Sequence, residues 1–130
     1  MFFFNTLEGF EVFNFNEGVP YVSVTNNGVT FNKSVVMKMD YPLFVTLLIN
    51  RATKQIAVMA CEEDTPNATP FYKQRKKNVI SVRWNGRDLL NTIQEITEWD
   101  LSTQSYKIEG QFLREENAML FNLTEAVPLT

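Results

Sequence analysis

The stretches VSVTNNGVTF (22–31) and ISVRWNGRDL (80–89) repeat one pattern 58 residues apart, counted from Gly28 to Gly86. Each alternates apolar and polar residues, reaches Asn-Gly, and continues into a segment with helical periodicity. Alternation is the period of a half-buried strand, and in the first stretch Asn27-Gly28 is a favoured centre for a type I′ hairpin turn. Each half then continues into a longer hairpin. In the first it is LFVTLLIN (43–50), RATK and QIAVMAC (55–61); in the second, SYKIEGQFL (105–113), REEN and AMLFNL (118–123). The two align without a gap: Arg51 with Arg114, Ile49 with Phe112, Ile56 with Met119 and Val58 with Phe121. Identity is lost but apolar phase is kept, and phase decides which face of a strand is buried. A half that cannot bury its own hairpin is expected to pair with its copy in one barrel-like core.

The expected fold is therefore mainly β (α+β). Two strand–helix–hairpin units, residues 20–61 and 78–126, form one pseudo-twofold swapped-hairpin-like barrel within a single domain, joined by a linker at 62–77. An undivided α+β domain without duplication is the alternative. Asn32 is placed to cap a short helix, KSVVMKM, whose Val35, Val36 and Met39 share a face. Asp88 is placed to cap LLNTIQEITEW, which turns Leu89, Leu90, Ile93 and Ile96 to a core. GFEVFNF (9–15) reads as an additional N-terminal strand. Phe2, Phe3, Phe4, Phe10 and Phe13 lie outside both units and need a surface to cover. They are expected to close an open barrel edge or to form a homodimer interface.

The chain has no histidine and one cysteine, Cys61. Ser-His-Asp and Cys-His catalysis are therefore excluded, as are His-based zinc sites and any internal disulfide. Five scattered glycines match no nucleotide-binding fingerprint. The acidic groups Glu62-Glu63-Asp64, Glu95 with Glu98, and Glu115-Glu116 fall in polar loops or on a wet helix face. The expectation is a non-enzyme without cofactor or metal. No run approaches the ~20 apolar residues of a membrane span. The apolar start MFFF has no basic residues before it and does not read as a signal peptide. A cytoplasmic location is expected.

The stretch VSVTNNGVTFNKSVVMKMDYPLFVTLLINRATKQIAV resembles the AbrB/SpoVT/MazE-type swapped-hairpin unit. Such units run strand, Gly-containing turn, short strand, two-turn helix and hairpin, and two of them interleave into a small barrel. Two units in one chain are similar to the tandem arrangement of the MraZ regulators, and the whole chain is similar to uncharacterised proteins of Gram-positive bacteria and their prophages. The resemblance implies a bacterial DNA-binding transcriptional regulator. The family usually places a basic residue after the turn glycine and a proline at the helix start. Here Val29 comes after Gly28 and Asn32 replaces the proline, while the second unit keeps Gly86-Arg87 but opens its helix at Asp88.

Net charge is −3, but it is unevenly spread. Residues 72–87 carry six basic groups and no acidic one, whereas residues 88–130 carry two basic and eight acidic. The basic window, Lys73, Arg75, Lys76, Lys77, Arg83 and Arg87, is the candidate surface for double-stranded DNA. Such clusters bind the phosphate backbone by counterion release. Phe71, Tyr72 and Trp84 lie beside it, where they could stack on exposed bases. The competing expectation is that these cations pair with the chain's own acidic C-terminal segment. The protein would then be an interaction module, phage-derived, that has lost DNA binding. Trp99, at the end of its helix, is expected to anchor a core or an interface.

Overall fold

The computed structural model describes residues 7–10, 12, 18–74 and 79–129. The predicted strand at 9–15 falls mostly outside these, as do Phe2, Phe3, Phe4, Phe13, Arg75, Lys76 and Lys77. The described residues form nine strands and two α-helices: β1 (Tyr21–Thr25), β2 (Gly28–Phe31), α1 (Lys33–Lys38), β3 (Phe44–Asn50), β4 (Gln55–Ala60), β5 (Thr69–Pro70), β6 (Val82–Trp84), α2 (Arg87–Thr97), β7 (Ser105–Leu113), β8 (Ala118–Asn122) and β9 (Val127–Leu129). The fold is mainly β, a curved half-barrel sheet of antiparallel strands with two helices. Strand order is β5-β3-β4-β8-β7-β1-β2-β6, and β9 pairs with β7 off this path.

Alternation places Val22 and Val24 of β1, Val45 of β3, Ile56 and Val58 of β4, Met119 and Phe121 of β8, and Ile108 of β7 inside the sheet. α1 adds Val35 and Val36, and α2 adds Leu90, Ile93 and Ile96, spaced on one face. Asn32 caps α1 as its sequence position suggests. Its Oδ1 accepts from the Val35 and Tyr21 amides at 3.2 and 3.0 Å, and its Nδ2 donates to the Val19 carbonyl at 2.8 Å. One side chain thus ends the approach to β1 and starts the helix after β2.

The two long hairpins have the same register. Leu47 faces Val58 and Ile49 faces Ile56 in the first; 63 residues on, Gly110 faces Phe121 and Phe112 faces Met119. Both turns hold their last residue at positive φ, Lys54 at 58° and Asn117 at 48°. The hairpins join through β4 and β8, with Ala57 opposite Leu120 at the middle of the paired segment. Just beyond the ladder, the Leu123 amide donates to Lys54 O at 2.9 Å and the Ala60 amide to Asn117 O at 3.0 Å. Each tip reaches the helix of the other half. Asn117 Nδ2 donates to Met39 O at the end of α1 (3.1 Å), and Arg51 pairs with Glu95 of α2 (2.7 Å). Gly110 sits where the partner of β7 changes from β1 to β8. A Cβ there would come within 2.8 Å of Met119 and Phe121 side-chain atoms, so the space of the missing side chain is filled by core.

Several expectations need correction. The strand expected before Asn85-Gly86 is confined, among the described residues, to Val82–Trp84, which pairs with Val29, Thr30 and Phe31 of β2. Asn85-Gly86 leads into α2, as its place before the helical periodicity suggests, but the cap differs. Gly86 is the N-cap of α2, without a side-chain cap bond, and Asp88 lies within the first turn. There its carboxylate complements the helix dipole rather than capping it. The 62–77 linker is not merely polar connection. Thr69–Pro70 adds β5 to β3, the Phe71 and Tyr72 amides donate to Leu43 O and Pro42 O, and Phe71 is buried. Trp99, by contrast, packs against the core as its place at the helix end suggests, stacked on Tyr106 with centroids 3.9 Å apart.

Candidate nucleic-acid interface

The two Asn-Gly pairs, distant in sequence, come together. Asn26 and Asn27 turn β1 into β2, with Thr25 opposite Gly28 and the Asn27 amide donating to Thr25 Oγ1 at 3.0 Å. Their carbonyls are taken by two arginines of the second half. Arg83 Nη2 donates to Asn27 O at 3.3 Å; Arg87 donates through Nη1 to Asn26 Oδ1 at 3.3 Å and through Nη2 to Asn26 O at 3.2 Å. Arg87 begins α2, where a cation is disfavoured by the helix dipole. Its guanidinium instead reaches out to the turn, where three polar groups of the first half accept hydrogen bonds from the arginine pair.

Gly28 makes this approach possible. Its φ is +153°, and a Cβ would lie 2.7 Å from Trp84 O, 3.2 Å from Arg83 Nε and 3.4 Å from Asn85 Cα. Two backbones therefore meet at a distance only glycine permits.

The sheet curves until its edge strands, β5 and β6, face each other. Trp84 Nε1 donates to Pro70 O across this seam at 3.3 Å. Phe31, Phe71 and Trp84 pack edge-to-face with centroids 5.0–5.8 Å apart, a dry floor beneath the seam. Above it is a cleft of about 280 Å³ lined by Lys73 on one edge and Arg83 on the other.

The structure thus brings Lys73, Arg83 and Arg87 to the junction of the halves, while Arg75, Lys76 and Lys77 lie outside the described residues. None of the three placed cations makes an ion pair with a described carboxylate. The expected pairing with the acidic C-terminal segment is therefore not made by them; Glu95 of that segment takes Arg51 instead. Phe71 is 4% exposed and locked in the core, so it is not free to stack on a base. Tyr72 packs edge-on against Tyr41 at 5.1 Å. Trp84 is half-buried and keeps part of its surface in the cleft.

Asn26, Asn27, Thr69 and Pro70 are not among the sequence-derived candidates. Asn-Gly marks a turn but not the residues that its carbonyls meet, and Thr69–Pro70 is too short to carry a strand period. Of the interface candidates, Phe10 is 76% exposed and stands near Val12, which is 96% exposed. Among the described residues, no helix is long and apolar enough to cross a membrane, and no group of three acidic, cysteine or histidine side chains is placed to hold a metal. Asp100, in the loop after α2, has its carboxyl held below the ordinary aspartate range by hydrogen bonds from the Ser102 hydroxyl and amide. No protein-family model, curated protein or solved structure matches the chain.

Proposed function

We propose that the chain is a tandem swapped-hairpin module of AbrB-like type that binds double-stranded DNA without catalysis. The duplication is supported by the 63-residue offset between the two hairpin registers, by the paired positive-φ turn residues, and by the reciprocal contacts of each tip with the other half's helix. DNA binding is supported above all by one observation: Lys73, Arg83 and Arg87 gather where the two halves meet and have no described carboxylate partner.

In this reading Lys73 and the neighbouring Arg75, Lys76 and Lys77 neutralise phosphates. Arg83 and Arg87 first fix the Asn26-Asn27 turn, and their remaining N–H groups reach phosphate or the guanine edge in the major groove. The net charge of −3 confines attraction to this surface, since the rest of the molecule repels a polyanion. Fluorescence anisotropy with random-sequence duplex DNA tests the reading. Wild type is compared with a Lys73→Glu, Lys76→Glu, Lys77→Glu variant, which spares the two arginines that hold the turn. Binding by wild type that the variant loses is expected; equal binding by both would refute the assigned surface.

A second reading, a protein-interaction module that has lost DNA binding, is favoured by the exposure of Leu7, Phe10 and Val12 beside the phenylalanine-rich N-terminus. These residues would form a homodimer surface. Sedimentation of wild type and a Phe10→Ser, Val12→Ser variant separates the cases. A dimer that the variant dissolves supports this reading, and a concentration-independent monomer opposes it.

A further inference from the structure

We propose that the seam between β5 and β6 is a binding cleft for a small anion, one planar ring bearing a single phosphate or carboxylate group either directly or through a sugar. This goes beyond duplex binding and does not depend on it, because the cleft is too narrow to receive a double helix. Its space, about 280 Å³, lies just below the range of roughly 300–1,000 Å³ usual for sites that hold drug-sized ligands. It suits one ring and its charged substituent.

The walls divide the work. Trp84, half-buried, and Pro70 offer flat apolar surface, held by the indole bond across the seam and by the Phe31 and Phe71 rings beneath. A ring laid there loses water on one face without displacing a packed side chain. Lys73 and Arg83 line the same space, and no described carboxylate lines it. Arg83 spends Nη2 on Asn27 O and retains further N–H groups. Lys73 is exposed and carries a mobile ammonium group able to reach an anion at several positions. Two cations beside a low-dielectric aromatic wall attract an anion more strongly than the same pair in open water. Among the described residues β6 pairs only with β2, so its other edge turns backbone groups toward the seam. Thr69 lines it from the opposite edge, with its hydroxyl donating to Asn67 O at 3.5 Å.

The shared chemistry, ring plus anion, has two sources: a pyrimidine nucleotide or an aromatic acid. Trp84 reports on the cleft, and the chain's other tryptophan, Trp99, is silenced by Trp99→Phe, which preserves stacking on Tyr106. Uridine monophosphate, benzoate and inorganic phosphate are each titrated into this variant, without DNA, to millimolar concentration while Trp84 emission is monitored. Saturable quenching by at least one ring-bearing anion is expected, with inorganic phosphate at least tenfold weaker. Response to the nucleotide alone identifies a nucleotide site, and response to benzoate identifies an aromatic-acid site. Lys73→Glu in the same background is expected to raise the dissociation constant at least tenfold, with far-UV circular dichroism unchanged because Lys73 is a surface residue. Absence of saturable quenching by both ring-bearing anions would overturn the proposal, as would undiminished binding by the folded Lys73→Glu variant.

Discussion

Gly28 and Gly86 occupy the same dipeptide in the two halves, yet replacing each with alanine is expected to have very different consequences. At Gly28 the backbone has φ +153°, and a Cβ would meet Trp84 O at 2.7 Å. Holding an L-residue in such a region costs about 1–3 kcal/mol. The obstructing atom is backbone, so relief requires β6 to move from β2, loosening the three-residue ladder and the hydrogen bonds of Arg83 and Arg87 to the turn. The sum is expected to be about 2–4 kcal/mol, the range in which named structural mechanisms leave single mutants. At Gly86, φ is −64° and nothing lies within 4 Å of an added Cβ. Alanine is a poorer N-cap than glycine by roughly 0.5–1 kcal/mol. The gain from restricting the unfolded chain, about 0.4–1 kcal/mol, offsets this. Gly86→Ala should therefore stay within about 0.5 kcal/mol of wild type. Urea denaturation of the three proteins gives the comparison directly. In thermal melts, a change of about 1 kcal/mol corresponds to roughly 3–5 °C for a chain of this length. Equal losses at the two glycines, or a larger loss at Gly86, would refute the inequivalence of the two Asn-Gly sites.

Four further outcomes are expected. Phe31→Ala removes the ring that touches Phe71, Trp84 and Phe121, and should cost about 3–5 kcal/mol in urea denaturation. Glu95→Gln breaks the Arg51 ion pair between one hairpin tip and α2, but both side chains are mostly exposed; the change should stay below about 1 kcal/mol in the same assay. Asn117→Ala deletes the bond to Met39 O and leaves alanine at φ 48°. It should cost about 1–3 kcal/mol, whereas Asn117→Gly recovers the backbone part. Asp100 has a depressed folded pKa, so its contribution to stability is present above the ordinary value of 3.8 and is lost as pH falls through the lower folded value. Ser102→Ala should move the Asp100 titration, monitored by NMR, back up toward the ordinary value.

How legible the molecule is from its sequence depends on how local the deciding interaction is. Both long hairpins can be placed to within about a residue at their ends, because alternation over five to nine residues, broken by a four-residue turn, has no competing reading. The helix after the second Asn-Gly is legible from its own apolar spacing, because the dipeptide itself specifies only a bend and leaves the conformation beyond it open. Val29-Thr30-Phe31 continues as strand, while Arg87-Asp88-Leu89-Leu90 continues as helix. β5 and β9 escape detection because two or three residues, one of them proline in each case, carry no period. The basic window is visible as charge. That Arg83 and Arg87 hold a turn 56–61 residues away is not, since no local pattern names the acceptors. Phe71 looks available beside the cations, but core packing claims it.

The measurement that bears most directly on the proposed function is the salt dependence of duplex binding by the wild-type chain. Each phosphate contact contributes a slope of about −0.9 in log K against log salt, so engagement of roughly four to six cations predicts a slope of about −4 to −5. A slope in that range for wild type, with binding lost in the Lys73→Glu, Lys76→Glu, Lys77→Glu variant, is the expected result. Failure of the wild type to bind random duplex even at low salt would contradict DNA binding outright, because the electrostatic contribution requires no particular sequence.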